Sequence, residues 1–442
     1  MPEETIEERY CRQTPGSRER FEAGRNFTAG PAKGAYFFSP YPLSFVSGEG
    51  CQLQDVDGRT YVDYANHHTV QILGHQHPSV MAAVEKQLQS GIALGGTVGV
   101  EFDIAAEMCR RVDTVERIRF VNSGTEATLH AIRLARGFSG KPKIAKFEGG
   151  YHGSHDAVEI SVRPPLEEAG PPDAPRSVPG AGGMSAGAVD EVIILPYDDE
   201  AAVERLVEQH REELACVIFD PKAGILPQRK EFVQAVRNIT RKFGVLLIFD
   251  EIVGFRIGMG GLQAHYGIDP DLTCFGKLIG GGFPASAFGG RADMMDLLDN
   301  SQGPTGFFQS GTFSAHPVAM ATGLATLKAL TPEVYDHLNG LGDRLKSGLE
   351  QQFVDQGVEA HIVVTGSIFS VHFKEGPLAN YRDLAHTDQD LAHRVFLSLL
   401  DQGYFLSSGL TMCALSSPMT ERHIDGLVEA MGRAVEKAQK EG

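Results

Sequence analysis

The stretch Val245-Leu246-Leu247-Ile248-Phe249 follows Gly244 as an unbroken apolar run and ends in two carboxylates, Asp250 and Glu251. A run this short, with no polar alternation, reads as a strand covered on both faces, the situation of a central strand in a parallel sheet. Ala215 to Phe219, ending at Asp220, repeats the pattern. From about residue 75 to 300 such runs alternate with helix-period segments, which predicts a doubly wound, mostly parallel α/β sheet. In open sheets of this kind ligands lie beyond the carboxyl ends of the strands. Asp250 therefore faces the place where chemistry is expected.

Downstream, Cys274-Phe275-Gly276-Lys277-Leu278-Ile279-Gly280-Gly281-Gly282 sets one lysine between an apolar segment and a glycine run. A lysine amine can form an imine with an aldehyde, and a strand-end acid can keep a pyridine nitrogen protonated so that the ring accepts carbanion charge. Pyridoxal 5'-phosphate (PLP) chemistry needs this pair of groups. Acids and lysines also stand at strand ends for structural reasons alone, so the pair requires support from elsewhere.

Three stretches bear on it. Asn122-Ser123-Gly124-Thr125-Glu126-Ala127 follows the strand-like Arg117 to Val121 and opens a helix with Ala127, Ala131, Ala135 and Phe138 on one face. Ser123 and Thr125 offer hydroxyls, Gly124 lets a ligand approach the backbone, and the helix start presents free N–H groups. That makes an anion site, or simply an N-cap by Ser123 or Thr125. Tyr151-His152, among glycines after the strand Ile144 to Phe147, reads as a stacking platform or as loop packing. Asn66-His67-His68-Thr69 gathers four polar groups beside a strand, for use or as satisfied surface histidines.

Length and composition bound the rest. At 442 residues the chain predicts two or three domains. We expect an N-terminal arm and small-domain segment over 1–70, a large PLP-binding α/β domain over 71–320 and a small α+β domain over 321–442. Residues 163–190, dense in Pro, Gly, Ala and Ser, read as a lid or a surface insertion. The formal charge of −17 argues against nucleic acid or an anionic membrane as main partner. Six scattered cysteines without a CxxC, a charged N-terminus without an apolar core and no apolar run near ~20 residues predict a reduced, cytoplasmic chain without a metal site.

Taken in order, Asn122 to Ala127, Tyr151-His152-Gly153, Phe249-Asp250-Glu251, Gly276-Lys277 with its glycine run, and Ser310-Gly311-Thr312-Phe313 resemble the class III PLP-dependent aminotransferases. The likeness covers about residues 40 to 440 and lies nearest the branch holding glutamate-1-semialdehyde aminomutase and the β-amino-acid aminotransferases. It implies a fold-type-I enzyme in which Lys277 carries the cofactor and shuttles protons. Asp250 pairs with the pyridine nitrogen, Ser123, Gly124 and Thr125 hold the phosphate, Tyr151 stacks on one ring face and Ile252 packs the other. Thr312 reaches the phosphate of the neighbouring subunit, which implies a homodimer. The implied activity is amino transfer from an amino acid or amine to an oxo acid. The alternatives are an intramolecular shift of the aminomutase type and a catalytically silent PLP-binding protein. Where the aminomutases carry Gly-Gly-Val-Asn-Ser-Pro, this chain has Gly30-Pro31-Ala32-Lys33-Gly34, and Leu406 to Thr411 lacks their late acidic residue. At two places where related β-amino-acid aminotransferases set arginines, Lys33 and Leu410 stand instead. Lys33, Lys222, Arg256 and the His67-His68 pair remain as candidate carboxylate contacts.

Overall fold

The computed structural model describes residues 4–33 and 37–441. Gly34, Ala35 and Tyr36 lie outside the described residues. Two compact units divide the chain. One comprises residues 79–332 together with Ala379–Ala385, and the other comprises 1–78, 333–378 and 386–442. These limits differ from those read from the sequence (70 and 320). The helix Pro317–Ala329 buries Val318, Ala319, Met320 and Leu327 and belongs to the larger unit. The excursion at 379–385 has no counterpart in the sequence reading.

The larger unit is built on a seven-stranded sheet. Across it run Arg117–Val121, Ser286–Gly290, Leu272–Phe275, Leu246–Asp250, Leu214–Phe219, Lys143–Phe147 and Val192–Leu195. Ser286–Gly290 is antiparallel to both its neighbours, and every other pairing is parallel. Leu246–Asp250 and Leu214–Phe219 are buried at every position, as unbroken apolar runs require when helices cover both faces. Because Arg117–Val121 and the parallel strands share one direction, Val121, Phe147, Phe219, Asp250 and Phe275 all end at the same edge. The loops after them carry the candidate site.

The helix Gly124–Ser139 starts at Ser123, whose hydroxyl accepts from Glu126 N, and stops at Gly140 with φ +72°. A left-handed residue there lets the chain leave the helix without a Cβ clash. Ala127, Ala131 and Ala135 are buried on its inner face. Phe138 ends the same stripe but is 39% exposed, with Arg291 5.6 Å above its ring.

In the other unit, Phe45–Glu49, Gln52–Asp55, Thr60–Asp63 and Tyr404–Phe405 make one sheet, with a hairpin turning at Gly58. Ala360–Thr365, Ile368–Phe373 and Cys413–Ala414 make another. The helices Gln389–Asp401 and Glu421–Lys440 bury their apolar stripes in this unit. Asn66, His67, His68 and Thr69 all have positive φ, from 49° to 70°, and form one left-handed turn. L-residues enter that region at roughly 1–2 kcal/mol each. Among the described residues no helix is long and apolar enough to cross a membrane.

Candidate active site

Asp250 closes its strand with its side chain buried. Its Oδ1 accepts from Ile252 N at 3.0 Å. Its Oδ2 lies 2.7 Å from His152 Nδ1. Burial holds the His152 pKa below that of an ordinary histidine, against the pull of Asp250. The ring is therefore neutral, with Nδ1 donating to Asp250 and Nε2 buried without a partner. His152 is thus not the exposed stacking group read from the sequence. Only Tyr151 projects outward, 54% exposed, its hydroxyl 3.4 Å from Ser154 Oγ. The two neighbours face different ways, Tyr151 outward and His152 into the protein, and the Tyr-His pairing was the available signal.

Glu251, the next residue, turns away from Asp250 and accepts from Leu262 N (3.0 Å) and Gln263 N (2.8 Å). Burial pushes its pKa up to about 8 against the pull of those donors. It anchors the helix Gly261–Tyr266 and is remote from the reacting side.

Lys277 is half-buried and opens a short helical turn with φ +53°. Left-handed backbone at a non-glycine residue is a strain often held at functional positions. Burial lowers its pKa to about 8; Asp250 opposes the shift, Arg256 adds to it and Asp220 opposes it. A second lysine, Lys146, is sealed in the sheet and donates to Ile160 O. Lys222 lies 3.5 Å from Asp220 in an ion pair. Arg256 is fully buried and so is no open contact for an incoming carboxylate.

Ile252 ties these groups to the helix start. A Cβ at Gly124 would come 2.7 Å from Ile252 Cδ1, and one at Gly276 would come 3.3 Å from Ile252 Cγ2. On the other side, Ser154 N donates to Thr125 Oγ1 (3.2 Å), and a Cβ at Gly153 would come 2.7 Å from that oxygen. Ser123, Gly124, Thr125, Tyr151, Asp250, Ile252 and Lys277 are thereby brought to one edge of the sheet. Thr312 is exposed; its neighbour Gly311 stands close enough to Asn122 that an added Cβ would reach 3.6 Å from Nδ2. In the other unit Lys33 Nζ and His67 Nδ1 lie 3.4 Å apart.

The sequence pattern of the family described as Aminotransferase class-III matches residues 38–435. The chain belongs to the class III aminotransferases. Glutamate-1-semialdehyde 2,1-aminomutase of Methanothermobacter thermautotrophicus is 37% identical to it over 399 residues, spanning 89% of this chain and 92% of that protein. An omega-transaminase from Sphaerobacter thermophilus shares 38% identity and superposes with a TM-score of 0.92, covering 97% of this chain and 99% of the other. A beta-phenylalanine aminotransferase from Variovorax paradoxus shares 34% at a TM-score of 0.86, covering 97% and 95%. As a class III aminotransferase the chain is a PLP-dependent enzyme of fold type I. The site fits that cofactor. The glycines at 124 and 276 let Ile252 pack directly on the backbone beside a helix N-terminus, and a buried carboxylate and a lysine of lowered pKa flank it.

Proposed function

We propose that this enzyme transfers an amino group from an amino acid, β-amino acids included, or an amine to an oxo acid, with PLP carried on Lys277. When bound, PLP supplies an aldehyde that captures the amino group and a protonated ring that accepts carbanion charge. The chain's own residues do the remaining work. Lys277 Nζ, pulled towards its neutral form, takes the proton from the substrate carbon and returns it. Asp250, fixed by His152 and by Ile252 N, holds positive charge on the ring nitrogen. Ser123, Gly124 and Thr125 receive the phosphate at the helix N-terminus. Tyr151 covers one ring face as a third catalytic group, and Ile252 packs the other. The observation that carries this reading is the meeting of Gly124, Gly276 and Asp250 around Ile252.

Thr312 reaches the phosphate of a neighbouring subunit in a homodimer. Ile92, Leu94, Phe102, Phe283, Phe308 and Phe313 are exposed on this unit, Phe308 to 80%, and support burial against a second copy. Unpaired cysteines support a reducing, cytoplasmic setting.

An intramolecular amino shift is the second reading. The names of the curated relatives, aminomutases at 37–39% identity, favour it over the transfer that the sequence reading put first. Transfer between molecules is supported by the absence of an acid in Leu406 to Thr411 and by Lys33 in place of the asparagine-serine turn. A mutase must fix both ends of one substrate, whereas a transaminase releases its keto product and admits another molecule. The pyridoxamine form, stripped of free donor, should convert an oxo acid or aldehyde to released amine in 1:1 stoichiometry with enzyme. Efficient conversion of glutamate-1-semialdehyde to 5-aminolevulinate, with no transfer to any external acceptor, would overturn this choice.

A further inference from the structure

Residues Ala379–Ala385 lie far along the chain from the seven-stranded unit yet belong to it. Their short helix Tyr381–Leu384 is capped by the Asn380 side chain. Arg382 meets Glu148 with two parallel bonds, Nε to Oε2 and Nη2 to Oε1, each 3.0 Å. The Glu148 side chain is 4% exposed. The same guanidinium donates to the carbonyls of Gly170 (2.8 Å), Ala169 (3.2 Å) and Pro171 (3.3 Å). The Tyr381 hydroxyl donates to Pro164 O at 3.0 Å. Its ring lies so close to Gly149 that an added Cβ would come within 2.5 Å of it.

Glu148 and Gly149 lead directly into Tyr151 and His152. The turn between them is held by Gly149 N to Ser161 O (2.8 Å), Gly150 N to Phe147 O (2.9 Å) and Thr128 Oγ1 to His152 O (2.6 Å), but by no side chain of its own glycines. Gly149 (φ +73°), Gly150 and Gly153 (φ +108°) supply no side chains to brace it. Its posture is set by what grips it. A buried carboxylate without a counter-charge is strongly unfavourable, and a two-pronged arginine pair fixes direction as well as distance.

We propose that Glu148, Arg382 and Tyr381 are positioning residues for amino transfer: they hold the glycine turn so that Tyr151 covers the site and His152 meets Asp250. The inference rests on the proposed cofactor contacts of Tyr151 and Asp250. It assigns the excursion at 379–385, and the ordering of 164–171, to the geometry of the reacting site and not to bulk stability.

The test compares the PLP-loaded parent with Glu148→Gln, Arg382→Gln and Tyr381→Leu, each at a temperature where it is fully folded. The expected result is a fall in kcat of about 10- to 100-fold with KM changed less than about threefold. Visible circular dichroism per bound cofactor should change alongside, because it reports the asymmetry imposed by Tyr151. Arg382→Lys keeps the charge but not the fork and should fall between parent and Arg382→Gln. Should Arg382→Gln fail to fold, Arg382→Lys and Tyr381→Leu decide on the same criteria. Variants with a lowered melting temperature but parental kcat and dichroism per folded holoenzyme would reduce the clamp to a stabilising contact and overturn the proposal. A parent that never takes up PLP would refute the site itself, a failure distinct from variants that match an active parent.

Discussion

Replacing Gly124 by alanine adds one methyl group at the start of the helix Gly124–Ser139, and the structure fixes where it lands. Its Cβ would lie 2.7 Å from Ile252 Cδ1 and 3.5 Å from Cγ1 and Cγ2. Carbon contacts settle near ~3.5–4.0 Å, so Cδ1 must retreat by about 1 Å. Gly124 does not occupy the left-handed region, so alanine suits its backbone. Helix propensity favours alanine by up to ~1 kcal/mol. Swinging the end of Ile252 off its staggered position costs about 0.5–1.5 kcal/mol. The two nearly cancel in stability, and the cofactor-free protein should melt within about 3 °C of the parent. They do not cancel in the site, where Ile252 is proposed to pack the ring and Gly124 to admit the phosphate. The apparent Kd for PLP should rise about 5- to 30-fold, or ~1–2 kcal/mol. Absorbance titration of cofactor-free protein beside a thermal melt measures both. Ile252→Val deletes Cδ1, the atom struck, so Gly124→Ala/Ile252→Val should regain most of the lost affinity. Unchanged affinity in the single variant, or a double variant as weak as the single, would refute this geometry.

Lys277→Ala should lose turnover by roughly 10³-fold or more while staying folded and binding PLP noncovalently. Borohydride reduction of the parent followed by peptide mass spectrometry should place the label on Lys277, and a label on Lys222 or Lys146 would contradict the assignment. Asp250→Asn should bind cofactor and lose about 10²-fold or more in kcat, because an amide cannot balance a charged ring nitrogen; a near-normal rate would place Asp250 outside the chemistry. With a pKa of about 8, Lys277 is charged below that pH and neutral above it. The rate of PLP loading onto cofactor-free enzyme should therefore climb up to about pH 8 and level off beyond it. A rate still climbing steeply at pH 10 would mean that burial does not lower this lysine.

What the sequence disclosed depended on whether the signal was local. Leu246 to Asp250 and Leu214 to Phe219 were legible because a strand covered on both faces leaves no polar position in its run. The helix at 124 was legible from its cap at Ser123 and the stripe Ala127, Ala131 and Ala135. Phe138 continues the stripe of Ala127, Ala131 and Ala135 yet is 39% exposed, because burial at a helix end depends on what covers it, which the helical period alone does not give. His152 lies on a glycine turn with no period at all, so its inward direction is set by Asp250, distant in sequence. The left-handed turn at Asn66 to Thr69 is a backbone state that these residue types do not choose unaided; Asn66 Nδ2, bonded to Asp63 O and Ala414 O, helps to hold it. Arg382 meets Glu148 across 234 positions, and no local pattern encodes such a partner.

That separation also orders events in time. Pro171 O is bonded to a guanidinium that leaves the ribosome 211 residues later. At typical synthesis rates this is a delay of about 10 to 40 seconds. All seven strands of the large sheet are translated before Ala379. A nascent chain can therefore assemble that sheet while Glu148 still lacks its counter-ion and 164–171 still lacks its anchor. A chain arrested ahead of residue 379 would carry Lys277 and Asp250 but could not fasten the turn that bears Tyr151. Protease nicking between 164 and 171 should mark such arrested chains.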